Sequence, residues 1–356
     1  MRVTVADTLR VGARLAVAPY LVSRAVLWTA AFVANRLLPY GPIHDSERGT
    51  WLQGFVGWDA EHYLGIARHG YPLQVIAPSG NNGYFPLFPL LLRAVGAGDP
   101  AALALAALLG FCAFAALGAF TAAVLDLDAA RRTVWTAAFW PAAFFWSAVY
   151  TESLFLVLAI ACLWASWRQR TWVAAAAGLL AGLTRPDGFV LLVPMLILLR
   201  PGRRRLAALA PGAGTLLVAA YLGLHTGQPL ALPRAFFSHG NLSPGRPWGL
   251  LQTALLWARY GDWQQVAELP ILVGVVALLV LLARDPRWRP PALATTLSLL
   301  AAPLAAGTVS SFARYSMVAF PIYWPLRRWP LALVLAVEAP IAIAWTVFAS
   351  TGHLTP

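Results

Sequence analysis

The 356-residue sequence contains no lysine, only two cysteines and few charged side chains of any kind. Asp, Glu and Arg make up 11% of the chain, whereas a soluble domain carries about 25% charged residues. That shortage excludes a large soluble domain. What fills the space is apolar: 60% of residues are hydrophobic and the mean hydropathy is +0.67, so most of the chain is dissolved in lipid. Ala- and Leu-rich stretches of about 17 to 25 residues recur from end to end, each long enough to cross a hydrocarbon core of about 30 Å. The formal charge of +12 comes entirely from arginine. The arginines sit in short clusters between apolar stretches, a pattern of membrane topology rather than of nucleic-acid binding. Cys112 and Cys162 fall inside apolar helices without further ligands nearby, so they read as packing residues and not as a disulfide or metal pair. No P-loop, Rossmann fingerprint, HExxH or paired CxxC motif is present.

The fold class this implies is an all-α polytopic membrane protein. Basic clusters lie at Arg2, Arg10 and Arg14, at Arg131 and Arg132, at Arg168 and Arg170, at Arg200 to Arg205, at Arg284 to Arg289, and at Arg327 and Arg328. If all of these face the cytoplasm, the spans between them come in pairs. Apolar stretches at 17–38, 101–125, 132–148, 151–167, 171–184, 188–200, 206–225, 267–283, 291–306, 311–326 and 331–349 allow that, giving about eleven crossings with the N-terminus inside. The first stretch exceeds a signal-peptide core and reads as a retained span. Residues 1–356 form one membrane domain with no clear internal repeat. Two long segments are left outside, about 39–100 and 226–266, and function is expected there. In the first, Trp58 to Arg68 has helical spacing, and Tyr84 to Ala97 is apolar but broken by Pro86 and Pro89. Both read as interfacial helices at the outer surface.

The first outer segment holds Trp58, Asp59, Ala60, Glu61, His62 and Tyr63. Helical spacing puts Asp59, His62 and Tyr63 on one face and turns Glu61 elsewhere. Two readings of Asp59 are open: a general base beside hydrogen-bonding partners, or the cap of an interfacial helix that Trp58 anchors. Tyr84 to Pro89 form an aromatic, proline-rich edge that either guides a lipid chain or packs at the interface. Glu152, in Tyr150-Thr151-Glu152-Ser153, needs a partner, because a carboxylate drawn into the membrane core costs about 2.5 to 3.5 kcal/mol. Arg185, in Thr184-Arg185-Pro186-Asp187-Gly188, and Arg314, beside Tyr315, both break the positive-inside rule. Such an arginine holds either an anionic group, which its fork can grip bidentately, or an internal carboxylate such as Glu152 or Asp187. Arg234, His239, Asn241 and Arg246 of the second outer segment are either contacts to phosphate or sugar, or solvated loop residues. Asp126 and Asp128 mimic a metal-binding Asp-x-Asp pair, but the topology places them in a cytoplasmic turn beside Arg131 and Arg132.

The order of these motifs resembles the PIG-V-like GPI mannosyltransferases, polytopic glycosyltransferases of the GT-C type that include bacterial members. The resemblance rests on Trp58-Asp59-Ala60-Glu61-His62-Tyr63 with Ile66-Ala67 and Gly70-Tyr71, on Tyr84-Phe85-Pro86-Leu87-Phe88-Pro89, on Tyr150-Thr151-Glu152-Ser153-Leu154-Phe155, on Arg185-Pro186-Asp187-Gly188, and on Arg314-Tyr315 before Phe320-Pro321. Pro186-Asp187 stands where a Ser-Asn-like pair is expected. The resemblance implies a GT-C-like helix bundle that transfers mannose from a polyprenyl-phosphate donor to a glycolipid or other acceptor hydroxyl on the non-cytoplasmic face. In a bacterium that is the outer face of the plasma membrane. Asp59 is the implied general base of an inverting displacement. Glu61, His62, Tyr84, Glu152, Arg185, Asp187, His239, Arg246, Arg314 and Tyr315 are the implied substrate-binding residues. No cofactor or metal is called for; the partners are the lipid-linked sugar, the acceptor and membrane lipids, not nucleic acid, and a partner subunit is left open. A lipid or solute transporter, or a flippase, is the rival reading. It would place its ionisable residues near the midplane of matched broken helices.

Overall fold

A computed structural model describes residues 5–39, 52–75, 80–238, 259, 263–305 and 311–353. These residues form helices, turns and bends, with no strand among them. The α-helices are α1 (Val5–Leu37), α2 (Gln53–Val56), α3 (Asp59–His69), α4 (Leu87–Ala94), α5 (Asp99–Val124), α6 (Leu127–Ala138), α7 (Glu152–Trp167), α8 (Thr171–Gly182), α9 (Leu192–Leu198), α10 (Ala210–Thr226), α11 (Ala231–Ser238), α12 (Trp263–Ala283), α13 (Arg289–Ala305), α14 (Phe312–Met317) and α15 (Leu331–Ser350). Five helical stretches are long and apolar enough to cross a membrane: Asp7–Leu37, Asp99–Val124, Arg203–Thr226, Val266–Ala283 and Leu331–Ser350. Glu152–Trp167, Thr171–Gly182 and Pro186–Leu198 are shorter apolar helices.

Several expected spans are broken instead of continuous. Residues 132–148 divide into α6 and a 3-10 turn, Ala143–Trp146, and the reason lies at Pro141, whose ring and missing N–H stop the helix. The aromatic residues that follow, Phe144, Phe145, Trp146 and Tyr150, are fully buried in this irregular segment. Irregular backbone at membrane depth survives only where its polar groups are satisfied. Here Arg24, buried in the middle of α1, does so: its Nη1 donates to Ala143 O at 2.7 Å and to Ser147 Oγ at 3.0 Å. Gly110 lets α5 approach the same segment, since a Cβ there would meet the Trp146 carbonyl at 2.2 Å. The expected span at 311–326 is likewise divided, into α14 and a 3-10 stretch, Phe320–Arg328, that carries Pro321 and Pro325. Cys162 is buried as expected of a packing residue, but Cys112 lies on an exposed face of α5.

α5 fixes where the two ends of the bundle are. Its first residue, Asp99, pairs with Arg68 of α3 at 2.7 Å. Just past its last turn, Asp126 caps α6 by accepting from the Ala129 N–H at 2.8 Å and pairs with Arg287 at 2.8 Å. With 26 residues, α5 holds these two layers about 39 Å apart. The Asp126 layer collects basic clusters: Asp285 pairs with Arg327 and lies 3.7 Å from Arg328, and Arg132 pairs with Asp128 at 2.8 Å. Asp126 and Asp128 thus serve the turn and its arginines. The helix that begins with Asp59, α3, is tied through Arg68 to the other end of α5.

Candidate active site

Asp59 is the first residue of α3, where the positive end of the helix dipole favours an anion. The turn before it is forced: Trp58 has φ 64° and ψ −127°, a region bulky residues rarely enter. Neither partner of Asp59 comes from its own helix. Its Oδ1 accepts from the Tyr84 hydroxyl at 2.9 Å, and its Oδ2 accepts from Arg314 Nη1 at 2.6 Å. His62 and Tyr63 share the helical face expected of them, and their rings pack on Tyr84, the hydroxyl that donates to Asp59. The His62 ring stacks on Tyr84 with centroids 4.4 Å apart, and Tyr63 meets it edge-on at 5.2 Å. His62 Nδ1 lies 2.8 Å from Asn81 Oδ1, so the Asn81 turn orients the imidazole. Glu61 is exposed and takes no part in the hydrogen bonds around Asp59.

From Asp59 a row of alternating charges runs inward. Arg314 Nε donates to Glu152 Oε1 at 2.6 Å, Arg185 Nη1 donates to the same oxygen at 2.8 Å, and Arg185 Nε donates to Asp187 Oδ1 at 3.0 Å. Four separate elements supply these groups: α3, the start of α7, the turn after α8, and α14. Arg185 is extended, with φ −146° and ψ 150°, and Pro186 then opens a 3-10 turn that folds back on α8. Gly188 permits the fold, because a Cβ there would stand 2.4 Å from the Ala181 carbonyl. Arg314 is aimed by Ser311, left-handed at φ 58°, and by Glu268 of α12, whose Oε2 accepts from the Ala313 N–H at 2.7 Å.

Aromatic faces line the row. The Arg314 guanidinium lies 4.6 Å from the Tyr150 ring centre and 5.4 Å from that of Phe145, and Arg185 lies 5.5 Å from Phe155 and 5.4 Å from Tyr315. Three carboxylates against two guanidiniums leave the row one negative charge in excess when all are ionised. The Nη2 group of neither arginine has a hydrogen-bond partner among the described residues. Glu152 Oε2 and Asp187 Oδ2 are buried and also without one. Burial pushes the Asp59 carboxyl up, but the charge and hydrogen bond of Arg314 and the hydrogen bond of Tyr84 together outweigh it and hold the group below its ordinary value. Burial and the neighbouring Asp59 push the Tyr84 hydroxyl up, so it stays protonated and donates.

The structure therefore brings together Asp59, Tyr84, Glu152, Arg185, Asp187, Arg314 and Tyr315, with His62 one ring removed. Arg234, on α11, donates to Gln228 Oε1 at 3.2 Å and is apart from the row. His239, Asn241 and Arg246 lie outside the described residues. Phe85 and Phe88 of the aromatic edge are buried, while Pro86, Pro89 and Leu90 line a cavity of about 500 Å³ with Tyr71 and Tyr221. Arg24 and Glu268 carry no motif that marks them in the sequence. The signal was available in both: each is a lone charge inside an otherwise apolar run, which must be partnered or functional.

Residues 28–196 match the Mannosyltransferase (PIG-V) family, the family that the motifs resemble. The matched stretch holds Asp59, Tyr84, Glu152, Arg185 and Asp187 but ends well before Glu268 and Arg314. Mouse GPI alpha-1,6-mannosyltransferase 2 is 32% identical over 175 residues, covering 45% of this chain and 34% of the mouse protein. The human protein of the same name is 31% identical over the same length and coverage. The alignment thus spans about a third of the length of these curated relatives. No solved structure matches the chain.

Proposed function

We propose that this chain is an integral-membrane mannosyltransferase that moves a mannosyl group from a polyprenyl-phosphate donor to a hydroxyl of a glycolipid acceptor at the non-cytoplasmic face. The observation that carries the reading is the meeting of Asp59, Arg314, Glu152 and Arg185 from four separate elements, at the end of α5 away from the Asp126 layer of basic clusters. The membrane arrangement that goes with it has about eleven crossings, the basic clusters inside, and α3 and α4 at the outer interface.

In the proposed displacement the acceptor oxygen attacks the anomeric carbon opposite the lipid phosphate and its proton passes to Asp59. The bond from that carbon to the phosphate oxygen breaks with its electrons on the phosphate, so the anomeric centre inverts. The departing polyprenyl phosphate, a phosphate monoester, needs no protonating acid; the Nη2 edges of Arg314 and Arg185 meet the growing charge. Arg246 and His239 are further contacts in this reading. Glu152 Oε2 and Asp187 Oδ2, buried without donors, suit sugar hydroxyls, which supply them. His62, Glu61 and Tyr315 flank the sugar, and Tyr84 fixes the base. The mechanism calls for no metal.

The test is transfer itself. Purified protein in lipid nanodiscs, given polyprenyl-phosphate mannose labelled in the sugar and an extract of membrane lipids, should yield a labelled lipid. The nucleotide sugar should not replace that donor. If no label moves and the donor is not hydrolysed, the transferase reading fails and the transporter reading takes its place.

The ionisation of Asp59 sets the pH dependence. A base works when deprotonated, and this carboxyl is held below the ordinary aspartate value of about 3.9. Transfer should therefore be flat above about pH 5 and fall only below the usual carboxylate range. An acid limb near pH 6 to 7 would assign the base to another group. The Arg314–Asp59 ion pair follows the same sign: its contribution to stability is present above the unfolded value and is lost as pH falls through the depressed one.

A further inference from the structure

Neither Tyr71 nor His225 belongs to the charged row, yet a chain of hydrogen bonds joins both to Asp59. α3 ends at Gly70, whose φ of 80° would strain any side chain. The chain leaves the helix there and sets Tyr71 against α10, where its ring meets Tyr221 edge-on with centroids 5.8 Å apart. His225, one turn further along α10, stacks on Tyr221 at 5.5 Å, and its Nε2 lies 3.0 Å from the Tyr71 carbonyl oxygen. A carbonyl can only accept, so His225 Nε2 carries the proton of this bond. The Tyr71 hydroxyl in turn donates to the Tyr84 carbonyl oxygen at 2.7 Å, across 13 positions of chain. Burial pushes that hydroxyl up, and the neighbouring Tyr221 and Tyr63 add to the effect, so it stays protonated. The Tyr84 hydroxyl completes the chain at Asp59 Oδ1, 2.9 Å away.

We infer that Tyr71 and His225 are positioning residues for Asp59: together they hold the Tyr84 backbone at the place from which its hydroxyl reaches the carboxylate. The inference rests on the reading of Asp59 as the base and adds what fixes the partner of that base. Tyr84 needs such a hold. It lies in extended backbone, φ −99° and ψ 143°, between the 3-10 turn Asn81–Gly83 and α4, so no helical ladder takes up its carbonyl. Phe85, the next residue, is buried in a small apolar cluster with Val218 and Leu222, so this second tie also leads to α10. Among the described residues Asp59 Oδ1 has no donor besides Tyr84, and any slack in the Tyr84 backbone therefore falls directly on the carboxylate. The competing role for Tyr71 is direct contact with a ligand, because it also lines the cavity of about 500 Å³ beside α4.

Tyr71→Phe and Tyr84→Phe each remove one hydroxyl and keep the ring, so the two single variants and the double variant form the test. Tyr71→Phe should lower kcat about two- to fivefold, by no more than Tyr84→Phe does, and leave the donor KM unchanged. In the Tyr84→Phe background it should cost nothing further, because the hydroxyl it places is gone; a role in packing alone would cost the same in both backgrounds. His225→Leu should behave like Tyr71→Phe, and His225→Gln, which keeps a donor near the position of Nε2, should restore most of that loss. A second readout does not need transfer: the carboxyl carbon resonance of Asp59 in protein labelled with 13C-aspartate, assigned by its loss in Asp59→Asn. It should move in Tyr84→Phe, move the same way but less in Tyr71→Phe, and move no further in the double variant than in Tyr84→Phe. Additive losses, a Tyr71→Phe loss carried by KM, or an unmoved resonance in Tyr71→Phe would each overturn the assignment. If wild type transfers no label but the resonance follows this pattern, the positioning stands and the transferase reading falls.

Discussion

Asp59→Asn should lower transfer by about a hundredfold or more while leaving donor binding near wild type. Asparagine keeps the shape of the side chain and an oxygen that can accept from Tyr84 or Arg314, but it cannot take the acceptor's proton. Arg314 keeps its second carboxylate, Glu152, so the row should not come apart. The loss should therefore fall on kcat and not on KM. Tyr84→Phe separates loss of the base from disturbance of its setting: it removes one hydrogen bond to Asp59 and should cost about three- to tenfold, in line with a net worth near 1 kcal/mol. Wild-type turnover by Asp59→Asn would exclude Asp59 as the base. A loss no larger than that of Tyr84→Phe would make it a positioning group.

Much of this site could be read from the sequence because a membrane penalises isolated charge. Glu152, Arg185 and Arg314 stand out as ionisable residues that neither the inside rule nor solvent explains, while Asp59 stands out only by its helical spacing with His62 and Tyr63 and by the motif around it. That Arg185 would pair with Glu152 or Asp187 was one of the two readings left open, and the structure has both pairs. Each arginine also has an Nη2 with no hydrogen-bond partner among the described residues, the position at which the other reading would put an anion. Pairing across 162 and 255 residues of chain, between Arg314 and its two carboxylates, was not legible, because helical periodicity reports only neighbours three or four positions away. For the same reason Tyr84, and not His62, holds Asp59. Among the expected spans, 132–148 and 311–326 failed as continuous helices. Hydropathy measures how apolar a segment is and does not register that Pro141 or Pro321 stops the helix before it.

Glu152→Ala should be the most destabilising single change at the site. Glu152 is fully buried, and one of its oxygens receives both guanidiniums, Arg314 at 2.6 Å and Arg185 at 2.8 Å. Without it two like charges share a buried space with only their outer partners, Asp59 and Asp187, left to offset them. Breaking a buried pair by removing one partner costs about 3 to 5 kcal/mol, far more than an exposed ion pair is worth. Thermal unfolding in detergent should show the loss as a marked fall in the midpoint. Glu152→Gln, which keeps an acceptor but no charge, should fall between the two. Both changes delete the same direct pair, so Glu152→Ala combined with Arg185→Met should destabilise by less than the sum of the single effects, by about 0.5 to 3 kcal/mol. Strict additivity would mean that the row is a set of independent contacts. Positive coupling would mean that Arg314 and Arg185 are held as a unit through one carboxylate oxygen, so that an anion bound at one Nη2 group is felt at the other.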